Sequence, residues 1–293
     1  MRDFMTRSRG VGAGGRGKAV VATGPYDRWV VGQVTAPAAV PIDALPSWAT
    51  LIRAPNPGPM TLDGTNTWVL RAGDAEQCLV VDPGPADEGH LAAVAAAGPV
   101  AGILVTHGHP DHVDGVDRLR SLTGAAVVDS HDGMGASAAP AGLRVRRIQT
   151  PGHTGDSTCF LVSNADGSEP AVLTGDTILG RGTTVVAWPD GNLREYLESL
   201  RRLVRLGPLP VLPGHGPALA DCAAAATYYL RHREVRLDQV RAARAAGAVT
   251  PAEVLARVYA DVDPNLLTAA EWSVRAQLAY LDDADRAGAG ETP

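Results

Sequence analysis

Lysine is almost missing from this 293-residue chain: Lys18 is the only one, and there are two phenylalanines and three cysteines. The cysteines, Cys78, Cys159 and Cys222, lie far apart, are odd in number and form no C-x-x-C pair. That spacing argues against a disulfide framework and against a cysteine zinc site, and it fits a reducing cytoplasm. No apolar run approaches the roughly 20 residues needed to cross a bilayer, and the first residues carry no compact apolar stretch of a secretory signal. A cytoplasmic protein without a membrane partner is therefore expected. With 26 basic and 32 acidic residues the formal charge is -6, so the chain as a whole has no field to gather nucleic acid, and any polyanion site must be local. Aromatics are 4% of the residues, too few to show a base-stacking platform.

What is present is globular in composition, 45% hydrophobic and 20% charged. The length allows one large domain and an appendage. Residues 1–36 are Gly- and Arg-rich (RSRGVGAGGRGK) and read as a disordered arm. Residues 37–217 alternate short Val/Ile/Leu/Thr runs with helical segments, as in a mixed α/β domain. The strand candidates are 65–70, 77–82, 102–107, 125–130, 143–149, 157–162, 170–176 and 209–215. Helices are expected at 87–97, 113–123 and 192–206. From 218 to 293 nearly everything reads as helix: a long Ala/Arg-rich stretch ended by Gly247, a helix opened by the capping pattern Thr250, Pro251, Glu253, and a last helix from about Leu267 to Leu281. Two shorter helices after a long one suggest a small, winged-helix-like appendage. No internal repeat is visible.

Chemistry concentrates in ILVTHGHPDHVDG (103–115), where an apolar strand delivers His107, His109, Asp111 and His112. Residues 107 and 109 of an extended segment project to one side, and Asp111 and His112 follow at the turn into a helix, so four ligand-capable side chains form a metal cradle. Downstream, His153 in TPGHT, Asp176 in LTGDT and His215 in LPGHG each follow an apolar strand, where loops carry function on a rigid base. Singly, each of the three also reads as a turn or capping residue.

In that order, THGHPDH, PGHT, GD and PGHG resemble the metallo-β-lactamase superfamily, an αββα sandwich of two mixed sheets between helices. The resemblance implies that His107, His109 and His153 hold one metal ion, that Asp111, His112 and His215 hold a second, and that Asp176 bridges them. Imidazole with some carboxylate suits zinc, while manganese or iron also fits. Two zinc ions about 3.5–4 Å apart share and acidify a water, giving a bridging hydroxide as nucleophile with Asp111 and Asp176 in the catalytic set. Asp82, in VVDPG, looks like the aspartate that braces the metal loop, although a turn residue reads equally well. Antibiotic hydrolysis is disfavoured by the missing export signal and by Asp176 standing where the commonest enzymes have cysteine.

Outside the ligands, NPGPMTLDGTNTWVL (56–70), GDTILGRGTTVV (175–186), YYLRHREVRLDQV (228–240) and TPAEVLARVYADV (250–262) are similar to the group around the eukaryotic β-lactamase-like protein 2. That group contains an endoribonuclease acting on single strands and thioesterases acting on carrier-bound polyketides. The resemblance implies a hydrolase of RNA phosphodiesters or, alternatively, of acyl-carrier or glyoxalase II-like esters and thioesters. A nucleic-acid-binding adaptor with a structural metal is the reading from another class. Asn66 and the pair Thr183 and Thr184 are candidate cleft residues, against plain strand and loop roles. Arg231, Arg233, Arg236, Arg241 and Arg244 either guide a phosphate backbone or form a salt-bridged helix face. No protein partner is evident beyond a homodimer through the helical appendage.

Overall fold

The computed structural model describes residues 38–41, 44–128 and 141–289. The expected arm, 1–36, lies outside the described residues. Two four-stranded sheets form the centre. The first comprises β1 (Ala49–Arg53), β2 (Asn66–Leu70), β3 (Cys78–Val81) and β4 (Val100–Leu104), in that order. The second comprises β5 (Leu143–Gln149), β6 (Thr158–Asn164), β7 (Ala171–Gly175) and β8 (Val211–Pro213). In each sheet the first two pairings are antiparallel and the last is parallel, with a register shift in that last pair, so both sheets are mixed.

Strand composition explains the layering. In β3, Leu79 and Val81 enter the cluster between the sheets, with Trp48, Trp68, Leu143, Phe160 and Leu173. Their neighbours Cys78 and Val80 face the other way, toward Leu91 of α1 (Glu88–Ala96) and Leu119 of α3 (Val116–Thr123). In β7, Leu173 faces inward, while Val172 packs outward with Tyr196 and Leu200 of α4 (Leu193–Val204). Strands buried on both faces carry unbroken apolar runs, which is why these segments lack polar alternation. The order of layers is helix, sheet, sheet, helix.

Beyond β8 come α5 (Cys222–Ala245), α6 (Pro251–Val258), a 3-10 turn (Pro264–Leu266) and α7 (Leu267–Ala289). Their apolar residues share one cluster with α4 and the outer face of the second sheet, from Cys159 to Leu281. This is the expected helical C-terminal region. No strand element lies beyond β8 among the described residues, so the wing of a winged helix is not among them.

Two expectations are corrected, and one strand is added. Residues 125–128 form only an isolated parallel bridge, Val127 to Ile103, and 129–140 lie outside the described residues. The single helix expected at 113–123 is split into α2 (Pro110–Val113) and α3, because Asp114 and Gly115 turn the chain between them. A Cβ at Gly115 would meet Leu91 Cδ2 at 2.8 Å and the Gly84 carbonyl at 3.0 Å, so a side chain there would have to push its neighbours aside. β1 went unrecognised because its ATLIR stretch is half exposed and short. No helix is long and apolar enough to cross a membrane among the described residues.

Candidate metal centre

The loops leaving β4, β7 and β8 carry six of the seven expected ligands, and the loop leaving β5 carries the seventh, His153. Pro110 at the first turn of α2 ends the extended run of 106–109, so Asp111 and His112 swing back beneath the two preceding histidines. His107, His109, His153 and Asp176 form one group of ligand atoms, and Asp111, His112 and His215 form another, each with its atoms within 4.8 Å of one another.

The nitrogens converge in a way that ordinary hydrogen bonding does not explain. His109 Nδ1 lies 2.9 Å from His107 Nε2 and 3.1 Å from His153 Nε2. In the second group His112 Nε2 and His215 Nε2 are 3.2 Å apart, with Asp111 Oδ2 at 3.3 and 3.2 Å from them. Asp176 spans the groups: its Oδ2 stands 3.8 Å from His153 Nε2 and 3.4 Å from His215 Nε2. Its buried Oδ1 has no hydrogen-bond partner. Lone pairs aimed at a common point and an orphaned carboxylate oxygen suit cations at both points. The donor set of imidazole and carboxylate fits zinc.

The far side of most rings is tied to the protein, which fixes which nitrogen is left to face inward. His112 Nδ1 donates to Asp82 Oδ2 at 2.9 Å, and His153 Nδ1 to the Val185 carbonyl at 2.6 Å. His215 Nδ1 faces the Gly64 carbonyl at 3.3 Å. His107 Nδ1 lies 3.0 Å from Thr106 Oγ1, which itself donates to Asp82. Asp82, read from the sequence as either a brace or a turn residue, accepts from His112, from Thr106 Oγ1 and from Thr106 N, and it does so from a left-handed backbone at φ 52. Such a conformation is costly for a residue other than glycine and persists where surrounding bonds hold it. Thr67 Oγ1 donates to the Asp82 carbonyl, and His90 Nε2 lies beneath both that threonine and the Pro83 carbonyl.

Electrostatics divide the rings into two kinds. Burial, then the neighbouring His112, pushes His107 down to about 2, and burial lowers His153 as well. Burial would lower His215 too, yet Asp176 and Asp111 push it up to about 11, and Asp82 and Asp176 raise His112 in the same way. Asp176 and Asp111 are held below the usual carboxylate range against their burial, chiefly by His215 and His112. The carboxylates therefore concentrate negative potential where the second group faces the first.

The remaining candidates behave differently. Asn66 gives both amide N–H groups to the backbone, at Pro213 O (3.0 Å) and Gly216 O (2.8 Å), so it clamps the loop of His215 and has none left for a substrate oxygen. Thr184 is buried, with Oγ1 3.4 Å from His153 Nδ1, on the side of the ring away from Nε2, while Thr183 is half exposed. The α5 arginines follow the salt-bridged alternative: Arg231 pairs with Glu234, Arg241 with Asp238 and Arg244 with Asp282, while Arg233 and Arg236 are buried. Sequence reasoning missed Thr65, whose hydroxyl donates to Asp111 Oδ2 at 2.9 Å and is itself held by Asn56. The dense polar run NPGPMTLDGTNT was the available signal.

Comparison with known proteins agrees with this geometry. The family model of the metallo-β-lactamase superfamily matches residues 60–141 and 134–215. A β-lactamase-like protein 2 homologue of Caenorhabditis elegans is 31% identical over 265 residues, covering 83% of each chain. An atrochrysone carboxyl ACP thioesterase of Aspergillus fumigatus is 33% identical over 247 residues, 74% of this chain and 75% of its own. In fold, a metallo-β-lactamase family protein of Thermus thermophilus superposes with a TM-score of 0.68 over 83% of this chain and 95% of its own, at 21% identity. The converging histidines, the sandwich that presents them and these matches together make the chain a member of the metallo-β-lactamase superfamily, in the group of β-lactamase-like protein 2, and a metal-dependent hydrolase.

Proposed function

We propose that the chain is a dinuclear metallohydrolase, with zinc as its ion, acting on esters or thioesters of carrier-bound acyl groups. Asp176 carries the dinuclear part, because a single carboxylate oxygen stands within 4 Å of a histidine from each ligand group. When bound, such a metal pair supplies Lewis acidity and a water acidified toward neutrality. The chain's own residues prepare the place. Asp82, Thr106 and the Val185 carbonyl fix the imidazole tautomers, Thr65 orients the Asp111 carboxylate, and Asn66 holds the His215 loop against β2. A serine or cysteine nucleophile is not required, and the described cysteines are buried.

Two observations support an acyl substrate over RNA. One is the thioesterase relative, similar along three quarters of this chain. The other is the state of the α5 arginines, which are paired with carboxylates or buried and so give a phosphate backbone little to follow. Buried, unpaired thiols support the cytoplasm as the location.

The test sets zinc-loaded protein against an acyl-pantetheine thioester and a labelled single-stranded RNA in parallel, with Asp176→Ala as control. Thioester hydrolysis lost in the variant is the expected result. RNA cleavage lost in the variant, with thioester untouched, would replace the acyl reading with the phosphodiester one.

A further inference from the structure

α5 runs behind the segment 179–187, which lies between Asp176 and α4. Two of its side chains, four residues apart and so on one face, grip that segment. Tyr229 Oη accepts from Leu179 N at 2.8 Å and donates to the Leu179 carbonyl at 3.3 Å. One turn later Arg233 Nη2 donates to the Thr184 carbonyl. The next carbonyl along the chain, that of Val185, receives His153 Nδ1–H. A single peptide unit therefore separates the guanidinium of Arg233 from the hydrogen bond that orients His153.

Arg233 is an expensive way to fill this position. It is 3% exposed, its guanidinium lies 5.2 Å from the centre of the Tyr196 ring, and its buried Nε has no hydrogen-bond partner. No ion pair joins it to a carboxylate among the described residues. A buried cation without a counter-ion costs far more than the leucine or methionine that would fill the same space. The other braced rings, His107, His112 and His215, take their outer contacts from Thr106, Asp82 and Gly64, all in the first half of the chain. Among the described residues, only His153 has its brace held from the helices beyond β8.

We propose that Arg233 is a positioning residue for His153: by fixing the Thr184–Val185 peptide it aims the Val185 carbonyl, and through it the ligand nitrogen, at the first metal position. The inference rests on the dinuclear reading given above. It assigns the C-terminal helices a part in the metal centre, which is to hold one of its ligands at a set angle.

The experiment is a cobalt titration of full-length protein, followed by absorption, on wild type, Arg233→Met and Arg233→Lys. It is paired with proton exchange at the histidine Nδ1 positions of the metal-free proteins, followed by NMR. Wild type taking up two ions is the control, and a single ion would overturn the dinuclear reading instead. The expected result is that Arg233→Met, with its helical circular dichroism intact, binds one ion about tenfold to a hundredfold more weakly and the other as before. His153 Nδ1–H should exchange faster while His112 Nδ1–H, held by Asp82, does not change. Arg233→Lys, keeping the charge and one donor, should fall between. A general loosening would move both ions and both protons, and that outcome overturns the inference, as does wild-type behaviour in Arg233→Met. Should methionine prevent folding, Arg233→Lys decides: weakening confined to one ion supports the inference, and wild-type affinity for both overturns it.

Discussion

Asp82 and His112 meet at 2.9 Å with both side chains buried, the carboxylate coming from a left-handed residue at the end of one strand and the imidazole from the helix that follows the next. The same carboxylate takes two hydrogen bonds from Thr106, so a single side chain registers the whole 106–112 segment. Asp82→Asn keeps a residue that tolerates the left-handed backbone but loses the anion. Metal affinity should fall about tenfold to a hundredfold in a chelator competition, with the fold retained. An unchanged affinity would show that shape alone, without charge, fixes His112.

Gly214 marks how tightly the loop after β8 passes the ligands. A Cβ there would stand 2.5 Å from Asp176 Oδ1 and 2.8 Å from His112 Cε1. Gly214→Ala should therefore displace the Asp176 carboxylate and abolish hydrolysis while leaving the circular dichroism spectrum of wild type. Retained turnover in that variant would show that the loop yields, and that Asp176 does not depend on its closeness.

His232, on α5, carries a pH dependence unrelated to the ligands. Burial, then the adjacent Arg233 and Arg236, pushes it from 6.5 down to about 2, so the folded chain refuses a proton that the unfolded chain accepts. No stability is lost to this group above about pH 6.5. Below it, the folded state loses about 1.4 kcal/mol per pH unit from this residue until the pH nears the folded value. Urea midpoints measured between pH 7 and pH 5 should fall less steeply in His232→Gln than in wild type. Parallel curves would mean that His232 is protonated in the folded chain.

The capping box of α6 tests how the C-terminal helices are joined to the rest. Thr250 accepts from Glu253 N, and Glu253 in turn accepts from Thr250 N. Thr250→Ala should cost about 1 kcal/mol. Because Val254 and Val258 of α6 belong to the cluster that also holds Tyr196 and Val172, the loss should shift one common melting transition. A calorimetric trace with two transitions, only one of them moved, would make 218–293 a separately melting unit.

Much of this architecture was legible beforehand because its signals are local. The apolar runs of β2 to β8, the capping box at Thr250, and Pro110 placing Asp111 and His112 one turn after His109 are written in adjacent residues. So were the seven side chains that the fold brings together, each just beyond the end of a strand. What stayed hidden depends on distant partners. Asn66 reads as a free amide until the Pro213 and Gly216 carbonyls are seen against it, some 150 residues later. The polar run around Thr65 marks a loop of interest but not its partner Asp111, and His90 and Arg233 have ordinary neighbours in sequence, with nothing local to tell that the fold will bring Thr67 and the brace of His153 to them. The arginines of α5 mislead for the same reason: periodicity says which face they share, but only packing says that Arg233 and Arg236 are turned inward.

The two sheets follow one plan, with antiparallel, antiparallel and then parallel pairing. The plan extends to the loops. Asp82 follows the third strand of the first sheet as Asp176 follows the third strand of the second, and His107 and His215 follow the two fourth strands. The centre thus lies on a seam between like halves, and each group of ligands takes members from both sides of it. In a chain whose cysteines are all unpaired, an ion held at that seam acts as a cross-link, closing loops of about a hundred residues between His112 and His215, much as a disulfide would. Chelation should accordingly lower the unfolding temperature of the whole sandwich, and not only silence its chemistry.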